Sequence, residues 1–175
     1  WSNGMRNSPE YVFQFLDFLT TQPIKRILLP DTLGVLTPKE THEFLSAIRE
    51  RYPEQHIDFH GHNDYDLSVA NVMEAVRAGV DGLHLTVNGM GERAGNAPLA
   101  SVVAVLNDFM PEGEVGVVES SLYKVSKLVS AFTGITIPAN KPIVGENVFT
   151  QTAGIHADGD RGEKTAGTAS RSSKG

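Results

Sequence analysis

The 175 residues contain no cysteine, a single tryptophan and few aromatics, 7% in all. Without cysteine there is neither a disulfide scaffold nor a thiolate metal site. No apolar run approaches the ~18 residues that suggest a membrane span. Nothing at the start looks like a signal peptide: the chain opens at Trp1 and its first methionine is Met5. The net charge of −6 gives no reason to expect nucleic acid or an anionic membrane as partner. Charged residues at 21% and hydrophobic residues at 40% are ordinary for a soluble globular chain. Length constrains more sharply. It fits one domain of ~100–200 residues but falls short of the ~250 of a closed (β/α)8 barrel.

The last fifteen residues, from Arg161, hold no large apolar side chain to offset their ordering entropy. Four basic residues against one acid give them a net +3, leaving −9 on the rest. A disordered tail over 161–175 is expected.

Upstream, helix and strand signals alternate. Ser8-Pro9-Glu10 reads as an N-cap, a first-turn proline and an early acid. Val12, Phe15, Leu16 and Leu19 follow at helical spacing. A short apolar run from Ile24 to Leu29 is closed by Pro30, and Thr37-Pro38-Lys39-Glu40 is a capping box. Thr41, Phe44, Leu45 and Ile48 mark one face of the helix it opens. Between His56 and His62, Ile57 and Phe59 point one way and His56, Asp58, His60 and His62 the other. Val69, Val72, Met73 and Val76 form a third helix that stops at Gly79. A strand over Val80–Val87, a helix over Pro98–Phe109 and a helix marked by Leu122, Val125, Val129 and Phe132, ended by Gly134, complete the pattern.

Strands thus begin near residues 24, 56 and 80, each followed by a helix. That recurrence predicts right-handed βαβ crossovers and a parallel sheet, from a doubly wound fold or a barrel. In either, ligands meet the C-terminal strand ends. Asp31-Thr32, His60 to Asp64 and Asn88 to Asn96 all follow their strands and therefore share one rim.

His60 and His62 lie on one side of a strand end, about 7 Å apart along the chain. They suit two ligands of one metal; the plain alternative is a pair of exposed histidines. Nitrogen and oxygen donors without thiolates favour Zn, Mn, Fe or Mg. Asp58 sits one step deeper on the same face, either orienting a histidine from behind or simply a satisfied buried acid, and the latter is favoured. The glycines of Asn88-Gly-Met-Gly-Glu-Arg-Ala-Gly-Asn96 precede a helix and suit an anion cradle or a tight turn. They match neither a Rossmann fingerprint nor a P-loop. Asn96 is placed to cap that helix or to bind a ligand. Thr32 suits a substrate carboxylate or a turn. Asp158, two residues from His156, is close enough to tune it; a surface turn is the plain reading.

His-Gly-His-Asn-Asp-Tyr-Asp-Leu-Ser-Val-Ala-Asn from His60 resembles the metal-binding segment of the 2-isopropylmalate, citramalate and homocitrate synthase family. Asn88 to Asn96 is similar to that family's next signature, and Phe149-Thr-Gln-Thr-Ala-Gly-Ile-His-Ala-Asp158 to its third. The resemblance covers roughly residues 1–160. It implies a TIM-barrel acyltransferase of branched-chain amino-acid biosynthesis, cytoplasmic and homodimeric at full length, that condenses acetyl-CoA with an α-keto acid (pyruvate or 2-oxoisovalerate). By motif position His60, His62 and Asn96 would be ligands of a divalent metal ion (Mn, Mg or Zn). Thr32 would bond the keto-acid carboxylate, and His156 with Asp158 would do acid–base chemistry.

The family's first-strand Asp ligand and catalytic Arg have no counterpart here. The fold class expected is therefore α/β, a partial TIM barrel of the last three strand–helix units. Residues 1–116 would be barrel, 117–160 the start of a helical linker and 161–175 tail. Such a fragment would leave two sheet edges unpaired and would oligomerise or fold poorly. It would also lack turnover on its own. The alternatives are a lyase or aldolase of the same superfamily, or a catalytically inactive truncated chain.

Overall fold

A computed structural model describes residues 1–110 and 115–149. In chain order the elements are α1 (Ser2–Asn7), α2 (Pro9–Thr20), β1 (Arg26–Asp31), α3 (Pro38–Arg51), β2 (His56–Gly61), α4 (Ser68–Arg77), β3 (Gly82–His84), α5 (Leu99–Phe109) and α6 (Leu122–Thr133). The chain divides into two compact units, Trp1–Val102 and Val103–Gly175.

In the first unit β1, β2 and β3 form a parallel sheet in that order, the βαβ arrangement that the alternating pattern predicts. Register fixes its two faces. Leu28, Asp58 and Gly82 lie in one row, Pro30, His60 and His84 in the next, and Arg26 pairs with His56. These residues share the polar face. The opposite face carries Ile27, Leu29, Ile57 and Phe59, all buried. There α4 packs against β2 and α3 against α4, and Val72, Ala75, Leu45 and Ile48 are buried with them. Each large side chain so buried contributes roughly 1.5–3 kcal/mol.

Local chemistry sets the helix ends. The capping box is complete: Glu40 N–H donates to Thr37 Oγ1 and Thr37 N–H to Glu40 Oε2. Pro9 stands at the first turn of α2, but Ser8 makes no side-chain cap bond. Its backbone carbonyl accepts from Tyr11 and Val12 instead. The short helix α1 carries no apolar periodicity that would announce it.

Two strands differ from expectation. β1 runs through Pro30 to Asp31 rather than ending before it; as a sheet edge it tolerates a residue without an N–H. β3 is only three residues long. Its continuation leaves the sheet because Thr86 bonds instead to the chain beyond the next loop: Thr86 N–H donates to Ala97 and Leu99 N–H to Thr86. In the second unit Leu122 and Ser126 of α6 are buried and the helix ends at Gly134. Phe132, expected on the buried face, is 81% exposed. The tail expected over 161–175 lies outside the described residues. Among the described residues no helix is long and apolar enough to cross a membrane.

Candidate functional site

The C-terminal strand ends are knitted by main-chain bonds. His62 and Asn96 form an antiparallel bridge. Ala97 N–H donates to Gly61 at 3.1 Å and Asn63 N–H to Gly95 at 2.9 Å. Two candidate ligands, one from each of two loops, are therefore held together by backbone rather than by flexible side chains. The His60 and His62 rings meet edge to face with centroids 5.0 Å apart.

Asn96 is oriented within its own loop. Its Nδ2 donates to the Met90 carbonyl at 3.0 Å, which leaves Oδ1 as the free end of the amide. A Cβ on Gly91 would collide with that amide. This glycine thus makes room for Asn96, which favours the turn reading of the loop over the anion cradle. Asn96 also stands three residues ahead of Leu99, where α5 begins, and its amide serves the loop instead of the helix.

Three atoms here are buried without a hydrogen-bond partner: His60 Nδ1, His62 Nδ1 and Asn96 Oδ1. Each such group costs roughly 1–3 kcal/mol unless something binds it. Two imidazole nitrogens and an amide oxygen are donors that fit a divalent transition metal. Among the described residues no three His, Asp or Glu side chains gather closely enough to hold a metal. Burial pushes the His60 imidazole below its ordinary pKa, and the neighbouring His62 adds to the shift. The neutral form that a metal requires is thereby favoured.

Around this cluster lie Asp31, Thr32, Asp64 and Arg93. Asp31 is fully buried. Its Oδ2 accepts from the Leu36 amide at 2.9 Å, and its Oδ1 has no partner. Thr32 is exposed and its carbonyl accepts from Arg93 Nη2 at 2.7 Å. Arg93 also forms an ion pair with Asp64. The guanidinium holds the Asp64 carboxyl below its ordinary pKa.

The structure thus brings His60, His62 and Asn96 together, and Arg93 ties the Thr32 turn to the loop that follows them. His156 and Asp158 lie outside the described residues. Sequence reasoning passed over Arg93 and His84. Arg93 stood inside a loop read for its glycines. His84 shares the His60 row only once the register is known, although its place on the predicted third strand was a signal.

The HMGL-like family profile matches residues 2–129. A protein of Ignicoccus hospitalis bearing the 2-isopropylmalate synthase name is 43% identical over 157 residues, 90% of this chain and 39% of that protein. The 2-isopropylmalate synthase of Gloeothece citriformis is 39% identical over 170 residues, 88% of this chain and 32% of that one. A Methanopyrus kandleri protein bearing the (R)-citramalate synthase name is 42% identical over 158 residues, 90% and 31% of the two chains. The chain thus spans about a third of the length of these curated relatives. Among solved structures, hydroxymethylglutaryl-CoA lyase from Pseudomonas aeruginosa superposes with a TM-score of 0.66 at 24% identity, over 74% of this chain and 45% of that one. The carboxyl transferase domain of Rhizobium etli pyruvate carboxylase, solved with pyruvate, gives 0.64 at 24% identity, over 71% and 20%. These two likenesses bear on the fold alone: the α/β unit with its parallel sheet is part of a TIM barrel.

Proposed function

The chain belongs to the HMGL-like family, and from that premise we propose that it carries the metal-binding rim of an acyltransferase that condenses acetyl-CoA with an α-keto acid. The sequence relatives named as 2-isopropylmalate and citramalate synthases support the reaction class. The observation that carries the site is the trio of buried, unpartnered donor atoms on His60, His62 and Asn96.

His60, His62 and Asn96 would hold a divalent ion (Mn, Mg or Zn), which when bound polarises the keto-acid carbonyl as a Lewis acid. The chain's own residues bind and position. His62 and Asn96 are paired through their backbones, which holds the two side chains on neighbouring positions of the rim. Thr32 stands at the strand end next to this cluster, with its turn held by Arg93, and its hydroxyl would bind the keto-acid carboxylate. His156, with Asp158, would do the acid–base chemistry that the third motif implies.

A lyase reading rests on solved structures such as the hydroxymethylglutaryl-CoA lyase, whose identity of 24% supports the fold and not the reaction. Relatives near 40% identity favour the synthase. In a full-length protein that contains this segment, CoA-thiol release from acetyl-CoA that depends on pyruvate or 2-oxoisovalerate supports the synthase. Cleavage of a hydroxyacyl-CoA without any condensation supports the lyase.

A further inference from the structure

The polar face of the sheet holds one buried acid that the proposed function leaves unused. Asp58 is 4% exposed, one register row below His60 and His84. Its Oδ1 lies 2.9 Å from His56 Nε2. Its Oδ2 lies 3.5 Å from His84 Nε2 and 3.9 Å from Arg26 Nη1. The Arg26 side chain is mostly in solvent, so the close partners of this carboxylate are two imidazoles. Beside it in the row is Gly82, where a Cβ would collide with Asp58 Oδ1. The sheet leaves out a side chain to admit the acid.

Of the two imidazoles, His84 leads toward the site. Its Cα pairs with that of His60 across β2 and β3. Its ring lies edge-on to the His60 ring, centroids 6.2 Å apart. A ligating histidine is held in one orientation and tautomer by what contacts it from behind. Asp58 approaches the His84 ring from below, and the His84 ring lies edge-on against that of His60.

We propose that Asp58 is a positioning residue for His60, acting through His84. The inference rests on the reading of His60 as a metal ligand. A carboxylate that only braced the sheet would change stability when altered and leave the environment of a bound ion untouched. The ligand field of the ion separates the two roles.

The test is Co2+ titrated into the 175-residue chain, followed by visible d–d absorption and by calorimetry, with thermal melts to check folding. The variants are His60→Ala, Asp58→Asn, His84→Phe and the Asp58→Asn/His84→Phe pair. His84 is half exposed, so its replacement does not empty the core and serves if Asp58→Asn fails to fold. The expected result is loss of the bands in His60→Ala and shifted bands with about tenfold weaker Co2+ binding in Asp58→Asn. The same shift is expected in His84→Phe, with little further loss in the pair. Bands and affinity unchanged in Asp58→Asn and His84→Phe, with His60→Ala still abolishing them, would overturn the positioning role alone. No Co2+ binding by the parent chain, or binding indifferent to His60→Ala, would overturn the metal reading and the inference with it.

Discussion

Arg93 grips Asp64 with two parallel hydrogen bonds, Nε to Oδ1 at 2.8 Å and Nη2 to Oδ2 at 3.0 Å, and gives Nη2 also to the Thr32 carbonyl. One side chain on the loop after β3 thereby fastens the loops after β1 and β2. It does so from a left-handed backbone conformation, φ 55°, which an arginine adopts only at a cost. A planar fork suits this three-point grip, and a lysine ammonium does not reproduce it. Arg93→Lys is therefore expected to loosen the rim while keeping its charge. Amide hydrogen exchange should accelerate at Leu33, Gly34 and Asp64 to Asp66, with no change in the strands beneath.

Acid should weaken the ion pair that ties α1 to α3. Arg6 donates to both Glu40 oxygens at 2.7 and 2.6 Å, and to the Val35 carbonyl. The Arg6 guanidinium, with the Thr37 amide and hydroxyl, holds the Glu40 carboxyl down to about 2. A depressed carboxyl contributes stability that is full above its unfolded value and is lost as pH falls through the folded one. The window is therefore pH 4.5 down to 2. After allowance for partial exposure the effect is about 1–2 kcal/mol. Urea unfolding of the parent and of Arg6→Met across that window should show a shallower acid limb in the variant.

At the opposite, N-terminal end of the strands, Arg49 is a keystone. It donates to the carbonyls of Gly79, Pro53 and Gln55 and pairs with Asp81. Asp81 in turn accepts from the Ile57 amide at 2.8 Å. Burial pushes the Asp81 carboxyl up, but the Ile57 amide and Arg49 outweigh it and hold it below its ordinary value. Arg49→Met leaves four acceptors without this donor, one of them part-buried, and should cost about 1–2 kcal/mol. A fall in the urea midpoint with an unchanged slope is the expected signature.

The isolated chain is expected to self-associate. Tyr11, Phe15 and Phe18 of α2 are each more than half exposed, at spacings that put them on one side of a helix. Among the described residues β1 and β3 are each paired on one side only, and open edges invite further strands. Sedimentation velocity should show mass rising with concentration. Phe15→Lys with Phe18→Lys should shift the chain toward monomer.

Local chemistry was legible in the sequence, and long-range chemistry was not. Thr37 and Glu40 announce α3 because a capping box is settled within four residues. The alternation from Ile57 to His60 gives the right faces of β2 because a strand has a period of two. Ser8, by contrast, carries the cap residue type without making the bond, and Phe132 fits the apolar spacing of α6 yet stands in solvent. Periodicity gives a face but not what covers it. For the site, His60, His62 and Asn96 could be named from their motifs. The Arg93 clamp spans 61 residues to Thr32, and Asp58 meets His84 across two strands. Neither contact leaves a local trace.

The most direct test of the central proposal is Mn2+ binding, read from the free-ion electron paramagnetic resonance signal as metal is titrated into the chain. The parent should take up one Mn2+ per chain, His60→Ala and His62→Ala should take up none, and Asn96→Ala should bind at least tenfold more weakly. Equal uptake by all four proteins would contradict a metal centre at His60, His62 and Asn96.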